Sequence, residues 1–84
     1  MSSDEIFGLV KEKILEILDE LPESAVTREK SLRDLGANSI DRVDVITESM
    51  EDLEISIPIK SFADLKNIGE LVDLLHRTKV GGTA

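Results

Sequence analysis

The sequence predicts an all-α bundle, and three observations lead to this fold class. Two long segments, one near the start of the chain and one in its middle, repeat apolar residues at steps of three and four, as amphipathic helices do. A shorter segment near the end of the chain has a similar apolar face. The one stretch that alternates like a strand, Glu54 to Ile59, has no second strand to pair with, and its Pro58 has no N–H to donate. We therefore expect helices joined by loops and no β-sheet.

Composition and charge limit the size of the core and the kinds of partner. Eighty-four residues predict one domain, and the two Phe with no Trp or Tyr predict a core of Leu, Ile and Val. A net charge of -8 disfavours nucleic acid and anionic membranes as partners and favours basic protein surfaces. The chain has no Cys, which excludes disulfides and thiolate metal sites and agrees with a reducing cytoplasm. No signal peptide or transmembrane stretch is visible, so we expect a cytoplasmic monomer.

The first helix should run from about Ser3, its expected N-cap, to Asp19, with Pro22 ending the element. Its core stripe repeats every three or four residues. The members of this stripe are Ile6, Val10, Ile14, Ile17 and Leu21. A long connection over residues 22–38 follows, and connections of this length in small bundles are often functional. Within it, residues 31–35 are expected to form one helical turn before Gly36.

The second long helix should run from Ser39 to Leu53. Asn38 is a good N-cap, and Asp41 three residues later completes an arrangement like a capping box. Ser39 then occupies the first helical position, beside unpaired backbone N–H groups that favour an anion. The negative charge of Asp41 partly opposes that preference.

The faces of this helix are expected to differ. Val43, Ile46, Met50 and Leu53 share one face, which we expect to lie in the core. The opposite face carries an acidic stripe, which consists of Asp41, Asp44, Glu48 and Glu51. Such a stripe is compatible with a merely solvated face and with a docking surface. Ile40 at its flank either lies exposed, where a partner would contact it, or packs inward and orients the turn.

The rest of the chain should contain an extended connector, a short third helix over Ser61–Leu65 and a last helix. Asn67 to Glu70 predicts a capping box that opens the last helix, and basic residues suit an end near residues 77–79. We expect a flexible tail over residues 78–84.

These elements in this order resemble the acyl carrier protein family and the related peptidyl carrier proteins. The attachment motif of that family is usually Gly-x-Asp-Ser-Leu, and here it stands as Gly36-Ala37-Asn38-Ser39-Ile40. A Gly-x-x-Ser motif alone would be weak evidence for an attachment site. From that motif alone, an ordinary serine at the start of a helix would be the better interpretation of Ser39. The resemblance is specific because flanking segments match in order over about residues 5–77. These segments are Ser31-Leu32, Asp34-Leu35-Gly36, Glu51-Asp52-Leu53, Ile57-Pro58 and Asn67-Ile68-Gly69-Glu70-Leu71-Val72.

The resemblance implies a four-helix bundle with a long first loop and a short third helix. It also implies that a phosphopantetheinyl transferase transfers 4′-phosphopantetheine from coenzyme A to Ser39. The thiol of that arm would carry acyl groups as thioesters, so the chain is expected to be a carrier and not an enzyme. Direct evidence for an enzyme is lacking: there is no Cys, only the peripheral His76, and no paired catalytic groups or metal ligands near Ser39.

Two residues, Asn38 within the motif and Arg42 just after it, point to a narrower group. Asn38 keeps the cap without the charge of Asp, and Arg42 interrupts the acidic stretch. The segment Asn38-Ser39-Ile40-Asp41-Arg42, followed by Glu51-Asp52-Leu53 and Ile57-Pro58, resembles freestanding carriers that supply acetyl units for polyketide β-branching. The resemblance implies loading with malonyl by an acyltransferase, decarboxylation to acetyl by a ketosynthase-like enzyme, and use by a 3-hydroxy-3-methylglutaryl-synthase-like enzyme. The residues that we expect such partners to recognise are Asn38, Ile40, Asp41, Arg42, Asp44, Glu48 and Glu51.

Two alternatives remain open from the sequence. The first is a general fatty-acid or polyketide acyl carrier protein. The second, from a different class, is a non-carrying helical interaction domain that uses its acidic face alone.

Overall fold

The computed structural model describes residues 2–81, and these residues contain α-helices and 3₁₀-helices but no strand. The α-helices are α1 (Ser3–Ile17), α2 (Ser39–Leu53) and α3 (Ile68–Gly81). Short 3₁₀-helices cover Glu23–Ala25, in the first connection, and Ile59–Phe62, between α2 and α3. The all-α prediction is confirmed. None of the helices in the described part of the chain has the length and apolar composition needed to cross a bilayer.

The prediction of a four-helix bundle is wrong in one element, because the short third helix is a 3₁₀-helix. It starts at Ile59, two residues before the predicted Ser61, and follows Pro58 directly. Its bonds run from residue i+3 back to residue i, from the Ser61 N–H to the Pro58 carbonyl (2.9 Å) and from the Ala63 N–H to the Lys60 carbonyl (3.2 Å). A four-residue element has too few residues for a stable α-helical ladder, and the tighter 3₁₀ turn suits such connectors.

A complete capping box starts α1. The Ser2 Oγ accepts from the Glu5 N–H (3.1 Å), and the Glu5 carboxylate accepts from the Ser2 N–H (3.0 Å). The N-cap is thus Ser2, one residue before the predicted Ser3. The helix ends at Ile17, two residues before the predicted Asp19, because Leu18 leaves the helical conformation (φ −110°, ψ 68°).

The core lies where α1 meets α2 and α3. Ile6, Val10 and Ile14 of α1 are fully buried, whereas Ile17 and Leu21 pack at the edge of the core. The buried residues of α2 are Val45, Ile46, Ser49, Met50 and Leu53.

The prediction that Val43 lies in the core is wrong, since this residue is 42% exposed. Successive residues of a helix are rotated by about 100°, which places Val43 about 90° from the centre of the buried face of α2. Val45 and Ser49 belong to that face and move its centre away from Val43. The polar Ser49 is tolerated in the core because its hydroxyl donates to the Val45 carbonyl (2.7 Å).

The long first connection is fastened to the starts of α1 and α3. Arg28 donates to the Asp4 carboxylate (2.7 Å), and its guanidinium carbon lies 4.8 Å from the centre of the Phe7 ring. The backbone carbonyls of Arg28 and Lys30 accept from the N–H groups of Gly69 (2.9 Å) and Ile68 (2.8 Å). The loop therefore satisfies N–H groups that the first turn of α3 would otherwise leave unpaired.

The predicted capping box of α3 forms only in part. The Asn67 side chain accepts from the Glu70 N–H (2.9 Å), as expected, but the Glu70 carboxylate accepts from the Lys66 N–H (3.1 Å) and not from Asn67. The helix continues to Gly81, past the predicted end at residues 77–79, so the prediction of a flexible tail is wrong for residues 78–81. Residues 82–84 of that tail lie outside the described residues.

Side chains from both neighbouring helices hold the C-terminal end of α2. The Lys79 Nζ donates to the Leu53 carbonyl (2.8 Å), and the Lys13 Nζ lies 2.7 Å from the Asp52 carboxylate. The hydrogen bond to Asp52 raises the pKa of the Lys13 ammonium. These contacts hold the C-terminal end of α2 against α1 and α3, and Ser39 lies at the opposite, N-terminal end.

Candidate functional site

The turn that leads into α2 is built from local hydrogen bonds. Ser31 and Asp34 bond reciprocally, with the Ser31 N–H donating to the carboxylate (3.0 Å) and the Asp34 N–H donating to the hydroxyl (2.9 Å). The bond from the Ser31 backbone N–H, reinforced by the Ser31 side chain, lowers the pKa of the Asp34 carboxyl. Gly36 then adopts φ +93°, a conformation that favours glycine. Buried Leu32 and Ala37, joined by a backbone hydrogen bond (3.1 Å), anchor the turn to the core.

The predicted capping box at the start of α2 is confirmed. The Asn38 Oδ1 accepts from the Asp41 N–H (2.8 Å), and the Asp41 carboxylate accepts from the Asn38 N–H (3.3 Å). α2 begins at Ser39, as predicted, and the side chain of Ser39 is exposed. The hydroxyl therefore stands at a helix N-terminus, where unpaired N–H groups favour negative charge.

Arg42 reaches back over the first turn of α2 to Ser39. One of its terminal guanidinium nitrogens donates to the Ser39 Oγ over 3.2 Å. Since the Ser39 oxygen accepts this bond, the hydroxyl proton stays available to a base on another molecule. Sequence reasoning missed this contact, although the spacing of three residues on one helix could have revealed it.

The residues predicted for partner recognition lie on one end and one side of α2, with different exposure. Ile40 is 73% exposed, which rules out the inward-packed alternative. Asp44 and Glu51 are exposed, and Glu48 is half-buried. Asp41 is also half-buried and is occupied by the capping box, so its carboxylate is less free than the others to meet a partner.

A groove of about 590 Å³ opens beside Ser39, between the start of α2, the second 3₁₀-helix and the start of α3. Buried Leu32, Ile46, Phe62 and Leu71 form much of its apolar lining. Val43 lines it too, which explains the partial exposure of that residue. Sequence reasoning missed this groove, because it depends on how the helices pack.

The polar residues near Ser39 do not form a metal centre. Within residues 2–81, no three His, Asp or Glu side chains are grouped so that they could hold a metal ion. The arrangement instead offers an exposed nucleophilic hydroxyl, a helix N-terminus and a guanidinium, which together suit a phosphate ester.

Known proteins are similar in sequence to this chain over most of its length. The family model described as a phosphopantetheine attachment site matches residues 8–75. The chain is 40% identical over 76 residues to the polyketide biosynthesis acyl-carrier-protein AcpK of Bacillus subtilis, which covers 90% of this chain and 93% of that protein. It is also 31% identical over 74 residues to an acyl carrier protein of Wolinella succinogenes, covering 88% of this chain and 97% of the relative. An acyl carrier protein of Campylobacter fetus is 30% identical over 74 residues, covering 88% and 96% respectively.

The resemblance drawn from the motif around Ser39 is therefore confirmed for the family as a whole. The helical fold, the capped turn before α2 and the matches over residues 8–75 agree with one another. The chain belongs to the acyl carrier proteins, the family that bears a 4′-phosphopantetheine prosthetic group.

Proposed function

We propose that Ser39 is the residue to which 4′-phosphopantetheine is attached, and that residues 1–84 act as one carrier domain without catalytic activity of their own. The observation that carries this proposal is the exposed Ser39 hydroxyl at the first position of α2. In the attachment reaction a phosphoester bond forms between the Ser39 Oγ and phosphorus. The pyrophosphate linkage of coenzyme A breaks, 3′,5′-ADP leaves, and a base of the phosphopantetheinyl transferase takes the hydroxyl proton.

The residues around Ser39 fit the charge of a phosphodiester. The unpaired N–H groups of the first turn and the Arg42 guanidinium, 3.2 Å from the Ser39 oxygen, would both stabilise an anion there. Asp41 opposes an anion less than its position suggests, because its carboxylate is turned to the Asn38 N–H. When attached, the prosthetic group supplies the thiol that holds acyl groups as thioesters, which this Cys-free chain lacks.

The finer proposal is that the chain is a malonyl and acetyl donor for β-branching in polyketide biosynthesis. Asn38, which replaces the usual Asp of the motif, and Arg42, which interrupts the acidic stretch after it, support this proposal. So does the 40% identity to a carrier that is named for polyketide biosynthesis. The partners would then be an acyltransferase, a ketosynthase-like decarboxylase and a 3-hydroxy-3-methylglutaryl-synthase-like enzyme. The alternative within the family is a general fatty-acid or polyketide carrier.

Intact-protein mass spectrometry tests the attachment site. The chain is incubated with coenzyme A and a broad-specificity phosphopantetheinyl transferase, as wild type and as the Ser39→Ala and Ser3→Ala variants. Ser3 is the matched control, since it occupies the first position of α1 as Ser39 does of α2. Wild type and Ser3→Ala should gain one phosphopantetheine, and Ser39→Ala should gain none. Modification of Ser39→Ala would overturn the assignment.

A comparison of donor carriers tests the finer proposal. The acetyl-loaded chain and an acetyl-loaded fatty-acid carrier are offered to a β-branching synthase with a β-ketoacyl acceptor on a second carrier. Faster acetyl transfer from this chain is expected. Equal rates would remove the donor role and leave the attachment at Ser39 intact.

A further inference from the structure

The six lysines of the chain differ in what their ammonium groups contact. Three of them meet a carboxylate or a backbone carbonyl at distances of 2.7 to 3.4 Å, namely Lys11, Lys13 and Lys79. The other three form no ion pair and donate no side-chain hydrogen bond within residues 2–81. These three, Lys30, Lys60 and Lys66, are all exposed, so their amines are accessible to a reagent.

Two of the three unpaired lysines lie beside Ser39. Lys60 is on the second 3₁₀-helix and Lys66 is in the segment that leads to α3, and both line the groove that Ser39 also lines. Lys30 does not line it. Among residues 2–81, no acidic residue lines this groove, so no lining carboxylate competes for the two ammonium groups. The hydroxyl of Ser39 is therefore accompanied by two accessible primary amines.

A primary amine near a thioester can accept its acyl group. The deprotonated lysine nitrogen attacks the thioester carbonyl carbon, a C–N bond forms and the C–S bond breaks. The sulfur leaves as a thiolate and takes up a proton from water, and the extra proton on nitrogen passes to solvent. The products are an amide on the lysine and a free thiol on the arm. Arg33 and Arg42 line the same groove but are not acceptors, because a guanidinium stays protonated.

We propose that Lys60 and Lys66 are acceptor sites for such an S-to-N acyl transfer, so that a chain loaded at Ser39 acylates itself. This inference rests on the proposed attachment at Ser39. The tether gives the thioester an effective concentration of about 1 mM at a lysine within reach of the arm. Transfer requires only that the thioester encounters these amines as the arm moves. Each transfer removes one positive charge near Ser39 and empties the arm without delivering the acyl group to a partner.

The remaining lysines are poorer acceptors for separate reasons. The hydrogen bond to Asp52 raises the pKa of the Lys13 ammonium, so less of its amine is deprotonated and able to attack. Lys30 is exposed and unpaired as Lys60 and Lys66 are, but it lies outside the groove. A comparison with Lys30 therefore separates closeness to Ser39 from exposure alone.

The test follows the acetyl-loaded chain at about pH 8.5, after the transferase and all coenzyme A thioesters have been removed. Intact mass first establishes loading at Ser39. Hydroxylamine then cleaves acetyl thioesters but not acetyl amides, so the acetyl mass that survives it measures the transfer. Cleavage after acidic residues places Lys60 in the peptide 55–64 and Lys66 in the peptide 65–70. We expect amide acetyl on these two peptides, formed faster as the pH rises because the amine must lose its proton.

Variants then separate the nucleophile from its charge. Lys60→Arg/Lys66→Arg keeps both positive charges and removes both amines, so the hydroxylamine-resistant acetyl should fall about fivefold or more. Lys11→Arg/Lys30→Arg is the matched control and should leave it unchanged, because neither residue lines the groove. Wild-type transfer in Lys60→Arg/Lys66→Arg would overturn the inference. So would acetyl spread equally over the six lysines.

A mixing experiment tests whether the acyl group stays within one chain. The acetyl-loaded chain is incubated with isotope-labelled Ser39→Ala, which lacks the attachment oxygen, at about 0.05 mM of each. With an effective concentration of about 1 mM, transfer within the loaded chain should exceed transfer to the labelled chain about twentyfold. Equal acetylation of the two chains would contradict self-acylation. A chain that never gains the arm fails at the first mass measurement, which contradicts the attachment at Ser39 and removes this inference with it.

Discussion

The guanidinium of Arg42 donates a hydrogen bond to the hydroxyl oxygen of Ser39 over 3.2 Å. Both residues lie on the first turn of α2, where a cation is disfavoured by the helix dipole by about 0.3–1 kcal/mol. Helix stability therefore does not account for an arginine at this position. The contact of Arg42 with the proposed attachment oxygen accounts for this arginine. The positive charge that weakens the unmodified helix would stabilise an anion on Ser39.

The first prediction concerns Arg42→Gln. This variant should be as stable as wild type or slightly more stable, because it removes a cation from a helix N-terminus. Its phosphopantetheinylation should be slower, with kcat/KM lowered about fivefold, which is roughly 1 kcal/mol for an exposed charged contact. Arg33→Gln is the control, as Arg33 lines the same groove without a hydrogen bond to Ser39. Equal loss in the two variants would mean that general charge, and not this contact, assists loading.

The second prediction concerns the cap of α2. Asn38→Ala removes the acceptor of the Asp41 N–H and should cost about 1 kcal/mol. For a domain of this size that loss lowers Tm by about 4–8 °C in a thermal unfolding experiment. Asn38→Asp keeps the acceptor and should change Tm little, so it is the matched variant. If Asp destabilised the chain as much as Ala does, the cap would not explain the role of Asn38.

The cap of α2 and the position of Ser39 at the start of that helix were predictable from the sequence, whereas the groove was not, and the difference is physical. Asn38, Ser39 and Asp41 interact over three residues, so their spacing alone determines which atoms meet. The exposure of Val43 and the gathering of Lys60 with Arg42 depend on how separate elements pack. Spacing along one helix does not contain that information.

The same limit explains the errors at the ends of elements. The carbonyls of Arg28 and Lys30 accept from N–H groups of the first turn of α3 that lie about 40 residues away along the chain. The Glu70 carboxylate accepts from the Lys66 N–H, so it does not close the capping box with Asn67. The segment after Pro58 was predicted to contain a short helix, and its length of four residues suits the tighter 3₁₀-helix that the structure shows.

The third prediction compares two glycines. At Gly36, φ is +93° and no atom would crowd an added Cβ, so Gly36→Ala should destabilise through backbone strain alone, by about 1–2 kcal/mol. Gly8 lies inside α1, where an added Cβ would also meet open space, and Gly8→Ala should stabilise the chain by about 0.5–1 kcal/mol. Urea unfolding measures both. Opposite signs are required, and a stabilising Gly36→Ala would show that the turn does not need the left-handed conformation.

The fourth prediction concerns the acidic stripe of α2 as a docking surface. Asp44→Lys should raise the KM for a phosphopantetheinyl transferase and flatten its dependence on salt, because a favourable charge pair is replaced by repulsion. Asp41→Lys should instead lower Tm as well, since Asp41 also closes the capping box. Glu12→Lys, the same charge change at an exposed position of α1, is the control. If Glu12→Lys and Asp44→Lys affected KM equally, net charge and not the stripe would steer the partner.

The last prediction is a pH dependence in the turn before α2. Hydrogen bonds from Ser31 hold the pKa of the Asp34 carboxyl below its ordinary value. The charged form is therefore favoured more in the folded state than in the unfolded state. This contribution to stability is complete above the unfolded pKa of about 3.9 and disappears as the pH falls through the lower folded pKa.

Urea unfolding of wild type and Asp34→Asn from pH 7 to pH 2.5 measures this contribution. The difference in unfolding free energy between the two proteins should be constant above about pH 5 and should shrink below about pH 4. Asn keeps the shape of the side chain and an oxygen acceptor, so the comparison isolates the charge. An NMR titration of the Asp34 carboxyl carbon provides the second measurement. A midpoint at or above the ordinary value would show that Ser31 does not stabilise the carboxylate, and the turn that presents Ser39 would then depend on Gly36 and its buried anchors alone.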